Sequence, residues 1–258
     1  MSAGPGTSKE RKTRAVVAIA GNPNAGKTTL FNALTGAHQR VGNWPGVTVE
    51  RKVGYATFGE VEAEIVDLPG TYSLKAYGDD ERVARDFLLR EDPDLVLVVV
   101  DASNLERNLY LATQLIELGL PVVLVLNMMD VARQGGVEVD RAELSVVLGV
   151  PVVETVGNRR NGSEALTSLL TELLGDLGAI ASPARPPIPY DLRIREAVEA
   201  LDAELRGDVT VFKAERLPGV LLGLLTGDMD GGVLAGWEPL ARVEARLAHL
   251  APAIRKKE

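Results

Sequence analysis

The sequence predicts an α/β fold, a parallel-rich sheet with helices on both faces, extended by a small all-helical C-terminal domain. Three observations predict it. Short apolar, strand-like runs recur at 15–20, 61–66, 95–100, 121–126 and 151–153, with helical periodicity between them. The first run leads straight into Gly-x-x-x-x-Gly-Lys-Thr at 21–28, followed by the helix-like Leu30-Phe31-Asn32-Ala33-Leu34. Beyond residue 181 the strand pattern stops and only helical periodicity remains. β-branched runs of this length read as strands buried on both faces, and their alternation with helices is the βαβ rhythm of a parallel sheet.

Between the third and fourth runs, Leu105, Leu109, Ala112 and Ile116 fall on one face of a helix over 104–118. Residues 181–189, Ala-Ser-Pro-Ala-Arg-Pro-Pro-Ile-Pro, form a semi-rigid proline-rich connector. The domains therefore divide into a flexible tail at 1–13, an α/β domain at 14–180 and a helical domain at 181–258. In the last, Ile194, Ala197, Val198, Leu201 and Leu205 mark one helix, with others at 217–225 and 240–250, where Val243, Leu247 and Leu250 are aligned. Such an appendage is too short to bury a large core unless it also packs on the first domain.

Composition narrows the function. The 258 residues are 46% hydrophobic and 25% charged, as in an ordinary soluble globular protein. A net charge of −8 argues against nucleic-acid binding through a broad basic surface. With no cysteine and only His38 and His249, thiolate and His-rich metal sites are excluded, and tight iron binding is not expected. No window reaches the roughly 18–20 apolar residues of a membrane-spanning helix, and the polar, basic start has no signal-peptide core.

The loop at 21–29 has the residue types that phosphate binding requires. Gly21 and Gly26 let the backbone curl so that N–H groups of Asn22, Asn24, Ala25 and Thr29 converge on phosphate oxygens at a helix N-terminus. Lys27 reaches the β/γ-phosphates and the Thr28 hydroxyl binds Mg²⁺. Asp67-Leu68-Pro69-Gly70 follows the second strand run, where a carboxylate holds Mg²⁺ through water and the Gly70 N–H senses the γ-phosphate. Alone, that tetrapeptide is common turn chemistry; its place at a strand end gives it weight. Between them, Gly46-Val47-Thr48 supplies a threonine that completes the Mg²⁺ shell in an order–disorder switch. Asn127-Met128-Met129-Asp130 follows the fourth run, and the Asp130 carboxylate matches the N1–H and N2–H₂ donors of guanine, which adenine lacks. Val156-Gly157 falls where a backbone N–H usually supports the base. Together these motifs define a P-loop GTPase of the Ras-like kind that binds GTP and GDP. Thr71 stands where such GTPases place a water-orienting glutamine, so catalysis needs another source of charge stabilisation. Asn24, whose side-chain oxygen can hold a monovalent cation against the phosphates, is the candidate.

The motifs GNPNAGKTTLFN at 21–32, VGNWPGVTVE at 41–50, DLPGTYSL at 67–74, DASNLERNLYLATQ at 101–114 and LNMMD at 126–130 resemble the cytosolic N-terminal part of the ferrous iron transport protein B (FeoB) family. The likeness covers about 14–228 and includes a segment of the family's helical domain at 215–228. It implies GTP hydrolysis with Lys27, Thr28, Thr48 and Asp67 in the roles above. It further implies a potassium ion held by Asn24 and the backbone carbonyls around Gly42 and Trp44. Trp44 reads equally well as a hydrophobic anchor of its loop. Val156-Gly157 replaces the family's commoner Ser-Ala, which bears on guanine release. The resemblance implies a longer protein, with a covalently linked membrane pore, working at the cytoplasmic face of the inner membrane. Homo-oligomerisation stays open. Two other readings remain at this point: a GTP-dependent switch without useful hydrolysis, and an Era-like ribosome-assembly GTPase. Met128 and the negative charge disfavour the second.

Overall fold

A computed structural model describes residues 14–155, 160–176 and 188–235. The tail at 1–13, Val156 and Gly157, most of the proline-rich connector and the helix expected at 240–250 lie outside the described residues. Seven strands form one sheet in the order β2-β3-β4-β1-β5-β6-β7. In chain order the elements are β1 (Arg14–Gly21), α1 (Lys27–Thr35), β2 (Gln39–Asn43), β3 (Glu50–Phe58) and β4 (Val61–Asp67). Then follow α2 (Asp79–Asp86), which runs on into one π-helical turn (Phe87–Glu91), β5 (Leu95–Asp101), α3 (Leu105–Glu117) and β6 (Val122–Asn127). The chain continues with α4 (Met129–Gln134), α5 (Arg141–Leu148), β7 (Val152–Glu154), α6 (Arg160–Gly175), α7 (Leu192–Leu205) and α8 (Leu217–Thr226).

Every strand run expected from sequence is a strand, and β4, β1, β5, β6 and β7 pair in parallel. β2 and β3 were not among the expected strands. They pair antiparallel and extend the sheet beyond β4. Their sequences show why: β2, the edge strand, has four exposed residues out of five and no apolar face to betray it.

Alternate side chains of the central strands feed two cores. Val17, Ile19, Ile65, Leu97 and Val125 pack against Phe31 of α1 and Leu166 and Leu170 of α6. Ala18, Val66, Val98 and Leu124 face α3 and the π-turn through Leu111, Leu115 and Leu88. The second core runs on without a break into Leu201 and Leu205 of α7 and Val220, Leu221 and Leu225 of α8. The helical appendage thus packs on the sheet domain. Gly219 makes this close approach, since a Cβ there would stand 2.4 Å from the Glu117 carbonyl oxygen. The buried face of α3 is wider than the expected stripe. Ala112 and Ile116 are buried as expected, Leu105 and Leu109 are half-buried against the same core, and Asn108, Leu111, Gln114 and Leu115 are buried beside them. Asn108 is drawn inward because its Oδ1 accepts from the Asp101 N–H at the end of β5 (3.2 Å) and its Nδ2 donates to the Asn104 carbonyl (2.8 Å).

Candidate nucleotide-binding site

β1, β4 and β6 end at Gly21, Asp67 and Asn127, on the same edge of the sheet. Open α/β sheets bind ligands at the carboxyl ends of their strands. Two glycines shape the loop between β1 and α1. At Gly21 (φ +148°) a Cβ would lie 2.3 Å from the Val99 carbonyl oxygen, and at Gly26 (φ +102°) 2.1 Å from the Asn127 amide nitrogen. Only a hydrogen fits either place. α1 begins at Lys27 with no side-chain cap and no acidic residue in its first turn, so its leading N–H groups stay available to an anion.

Asn24, Lys27, Thr28, Thr48, Asp67 and Gly70 line one cleft of about 500 Å³. Lys27 is buried, and its ammonium donates to the Asn22 carbonyl (2.9 Å). Burial holds the Lys27 pKa below its ordinary value, against the pull of the Asp67 charge. The Thr28 hydroxyl donates to Asp67 Oδ2 (3.0 Å). Asp67 Oδ1 is buried with no hydrogen-bond partner among the described residues. Burial raises the Asp67 pKa, although the Thr28 hydrogen bond and the Lys27 charge both oppose it. An ionisable oxygen left bare beside a hydroxyl is a donor pair suited to a hard divalent cation. Gly70 closes on the loop, where a Cβ would come 2.9 Å from Pro23 Cα and 3.1 Å from Lys27 Nζ. The Thr71 N–H donates to the Gly21 carbonyl (3.2 Å).

The base-side residues stand further along the edge. Asn127 is buried and its Nδ2 donates to the Ala25 carbonyl (2.9 Å), tying the end of β6 to the phosphate loop. Met128 turns the chain in a left-handed conformation (φ +58°), which presents Asp130 on the exposed first turn of α4. Ala25 is buried, Thr29 exposed, and Asn22 buried with its Oδ1 unpartnered among the described residues.

The segment that carries Thr48 is a turn between β2 and β3, with Gly46 at φ +77° and Val47 half-buried. Trp44 anchors it. The indole is buried, meets the Phe87 ring edge-on at 5.5 Å and carries the Arg51 guanidinium 4.8 Å from its ring centroid. The Trp44 carbonyl accepts from the Val47 N–H (3.3 Å). Gly42 sits in β2 opposite Arg51 and is exposed. Asn24, by contrast, is exposed at the cleft in a left-handed conformation (φ +64°). Lys52 and Glu50 also line the cleft, paired at 3.2 Å. Sequence reasoning missed them because they belong to β3, a strand it did not find.

A nucleotide-sized cleft over a glycine-hinged loop, on this sheet order, places the chain among the P-loop GTPases as a Ras-like G domain followed by helices. Relatives narrow the class. The family described as "Ferrous iron transport protein B" matches residues 15–170, and the chain belongs to that family. A FeoA/FeoB fusion protein of Porphyromonas gingivalis is 44% identical over 224 residues, 86% of this chain and 26% of its own length. The Escherichia coli K12 Fe(2+) transporter FeoB is 39% identical over 237 residues, 84% of this chain and 31% of its own length. The chain thus spans about a quarter to a third of these curated relatives. Among solved structures, a GDP-bound point mutant of the S. thermophilus FeoB G-domain superimposes with a TM-score of 0.78 at 39% identity, covering 93% of this chain and 88% of that one. The L. pneumophila FeoB cytosolic domain gives 0.73 at 37%, covering 93% and 95%. Family membership removes the support for a ribosome-assembly GTPase. No helix among the described residues is long and apolar enough to cross a membrane.

Proposed function

We propose that this chain binds GTP and GDP, hydrolyses GTP with Mg²⁺ and potassium, and serves as the nucleotide-operated cytosolic part of a ferrous-iron transporter. In the whole protein it is joined to a membrane pore and gates or powers Fe²⁺ uptake at the inner membrane. The observation that carries the reading is the meeting of Lys27, Thr28 and Asp67 in one cleft, with Asp67 Oδ1 buried and unpartnered.

In this reading Lys27 exchanges the Asn22 carbonyl for the β/γ-phosphates. The N–H groups of residues 22–29 cradle the remaining oxygens, and Gly70 meets the γ-phosphate. Thr28, Asp67 and, once its segment closes, Thr48 hold Mg²⁺, which when bound offsets phosphate charge during transfer. Asp130 selects guanine, with Asn127 and Met128 fixing its loop and Val156-Gly157 beside the base. Asn24 holds the potassium ion, completed by the carbonyls of Gly42 and Trp44. Only Asn24 of the three lines the cleft in this conformation, so the reading requires 42–48 to swing inward over GTP. We keep the domain division expected from sequence, a G domain at 14–180 and a helical unit at 181–258, and the family resemblance implies that the helical unit tunes nucleotide release.

Single-turnover GTP hydrolysis in matched KCl and NaCl tests the reading. Wild type should be clearly faster in KCl, and Asn24→Ala should lose that difference while still binding GDP. Equal wild-type rates in both salts would sink the cation mechanism. A complete lack of hydrolysis would favour a pure switch.

A further inference from the structure

We propose that Arg107, on the first turn of α3, is a positioning residue for GTP hydrolysis, its guanidinium stacked on Tyr72 to hold the segment after Gly70 against the phosphate loop. The inference rests on the hydrolytic reading above and assigns a residue that the phosphate, Mg²⁺ and base motifs leave out.

The Arg107 guanidinium carbon lies 4.0 Å from the Tyr72 ring centroid, and Arg107 forms no ion pair among the described residues. A planar guanidinium on an aromatic face combines cation–π attraction with stacking, which a lysine ammonium does not reproduce. Tyr72 is two residues beyond Gly70. On its inner side the segment is pinned by the Thr71 N–H to the Gly21 carbonyl (3.2 Å), and further along by the Leu74 N–H to Gln114 Oε1 of α3 (2.9 Å). Between those pins Tyr72 points outward, 38% exposed, and Arg107 covers it. The same residue also reaches the phosphate loop through its backbone: its carbonyl accepts from Asn22 Nδ2 (3.5 Å), and the Asn22 carbonyl holds the Lys27 ammonium. Arg107 therefore touches both walls between which the γ-phosphate would sit. In a chain with Thr71 in place of a water-orienting glutamine, the backbone around Gly70 has more to do, and small displacements there slow the reaction.

Arg107 and Tyr72 are both at the surface, so truncating them should leave folding intact; a thermal melt checks this. Arg107→Gln should lower kcat at saturating GTP about three- to tenfold, with KM and fluorescent-GDP affinity within about twofold of wild type. Tyr72→Leu should do the same, and the double variant should be no slower than the slower single variant. Tyr72→Phe, which keeps the ring face, should recover most of the Tyr72→Leu loss. Wild-type kcat in Arg107→Gln, additive losses in the double variant, or a parallel fall in GDP affinity would each overturn the proposal. So would a loss above about a hundredfold in Arg107→Gln with little effect of Tyr72→Leu, because Arg107 would then act on the phosphates directly. If wild type hydrolyses no GTP, the functional reading fails by itself. Arg107 is then judged on the affinity ratio of GTPγS to GDP. Arg107→Gln should lower it about threefold, and an unchanged ratio would overturn the assignment.

Discussion

At Asp67 the end of β4 buries a carboxylate with one oxygen bonded to Thr28 and the other, among the described residues, to nothing. A fold does not gain stability from a half-satisfied buried charge, and the raised pKa records that cost. Asp67→Asn keeps the shape and the Thr28 hydrogen bond while removing the charge. Nucleotide-free protein carrying it should melt at or above the wild-type temperature. Its GTP affinity in Mg²⁺ should fall at least about tenfold, since even outer-shell changes at metal sites cost about 10–100-fold. In EDTA the two proteins should bind nucleotide alike. A lower melting temperature with unchanged Mg²⁺ dependence would mean that Asp67 is structural. Lys27, Thr28 and Asp67 were legible in the sequence because each sits within a few residues of a strand end, where the local pattern sets the geometry. That Trp44 anchors its loop was one of two readings the sequence left open, but its partners were not legible. Its burial depends on Phe87 in the π-turn and Arg51 in β3, and no local spacing encodes those partners. The Asn127 tie to Ala25 escaped for the same reason: it joins residues 102 apart.

Among elements, the buried parallel strands announce themselves by apolar runs, whereas β2 and β3 depend on each other and on β4 for their pairing. The α3 stripe was drawn too narrow in part because polar Asn108 and Gln114 are buried for their hydrogen bonds, which a count of apolar residues ignores. The meeting of α3 and α8 depends on one glycine. A methyl at Gly219 would be 2.4 Å from the Glu117 carbonyl oxygen and 2.6 Å from Leu118 Cα, both backbone atoms that cannot swing aside. Alanine in place of glycine favours a helix by about 1 kcal/mol. Overpacking costs about 1–3 kcal/mol, and against backbone the upper half of that range applies. Gly219→Ala should therefore destabilise the protein by roughly 1–2 kcal/mol net. Urea unfolding measures it, and faster hydrogen exchange in α7 and α8 than in β1 or β5 would place the damage at this contact. A stability equal to or above wild type would show that α8 does not dock so closely in solution.

Over the whole molecule, the G domain and the helical part share one core. Among the titratable groups at their junction, which include Asp92 against Lys213 and Arg216 and Asp230 against Arg85, Glu117 is the one with its pKa lifted to about 7. Its carboxylate, at the end of α3, accepts from the Tyr190 hydroxyl just before α7 (2.8 Å). Asp228, just after α8, accepts from the Tyr110 hydroxyl on α3 and from Thr226 Oγ1. Burial first, then the negative charge of Asp228, lifts the Glu117 pKa from 4.5 to about 7, against the Tyr190 hydrogen bond. The docked state therefore keeps a proton that an undocked, solvated Glu117 releases above about pH 4.5. Docking loses free energy as pH climbs from there to about 7 and levels off beyond, where both states are ionised. Hydrogen exchange in α7, corrected for intrinsic rates, should show more protection at pH 5.5 than at pH 7.5. Glu117→Gln, neutral at both values and still able to accept from Tyr190, should flatten that difference and protect α7 better at pH 7.5. The Tyr110 and Tyr190 hydroxyls, both pushed further up by burial, stay protonated throughout and do not confuse the reading. An equal slope in Glu117→Gln and wild type would assign the pH response to other groups. If the helical part tunes nucleotide release through α3, the GDP off-rate should follow the same curve. The pH that loosens α7 would then be the pH that changes the off-rate, and Glu117→Gln would uncouple both together.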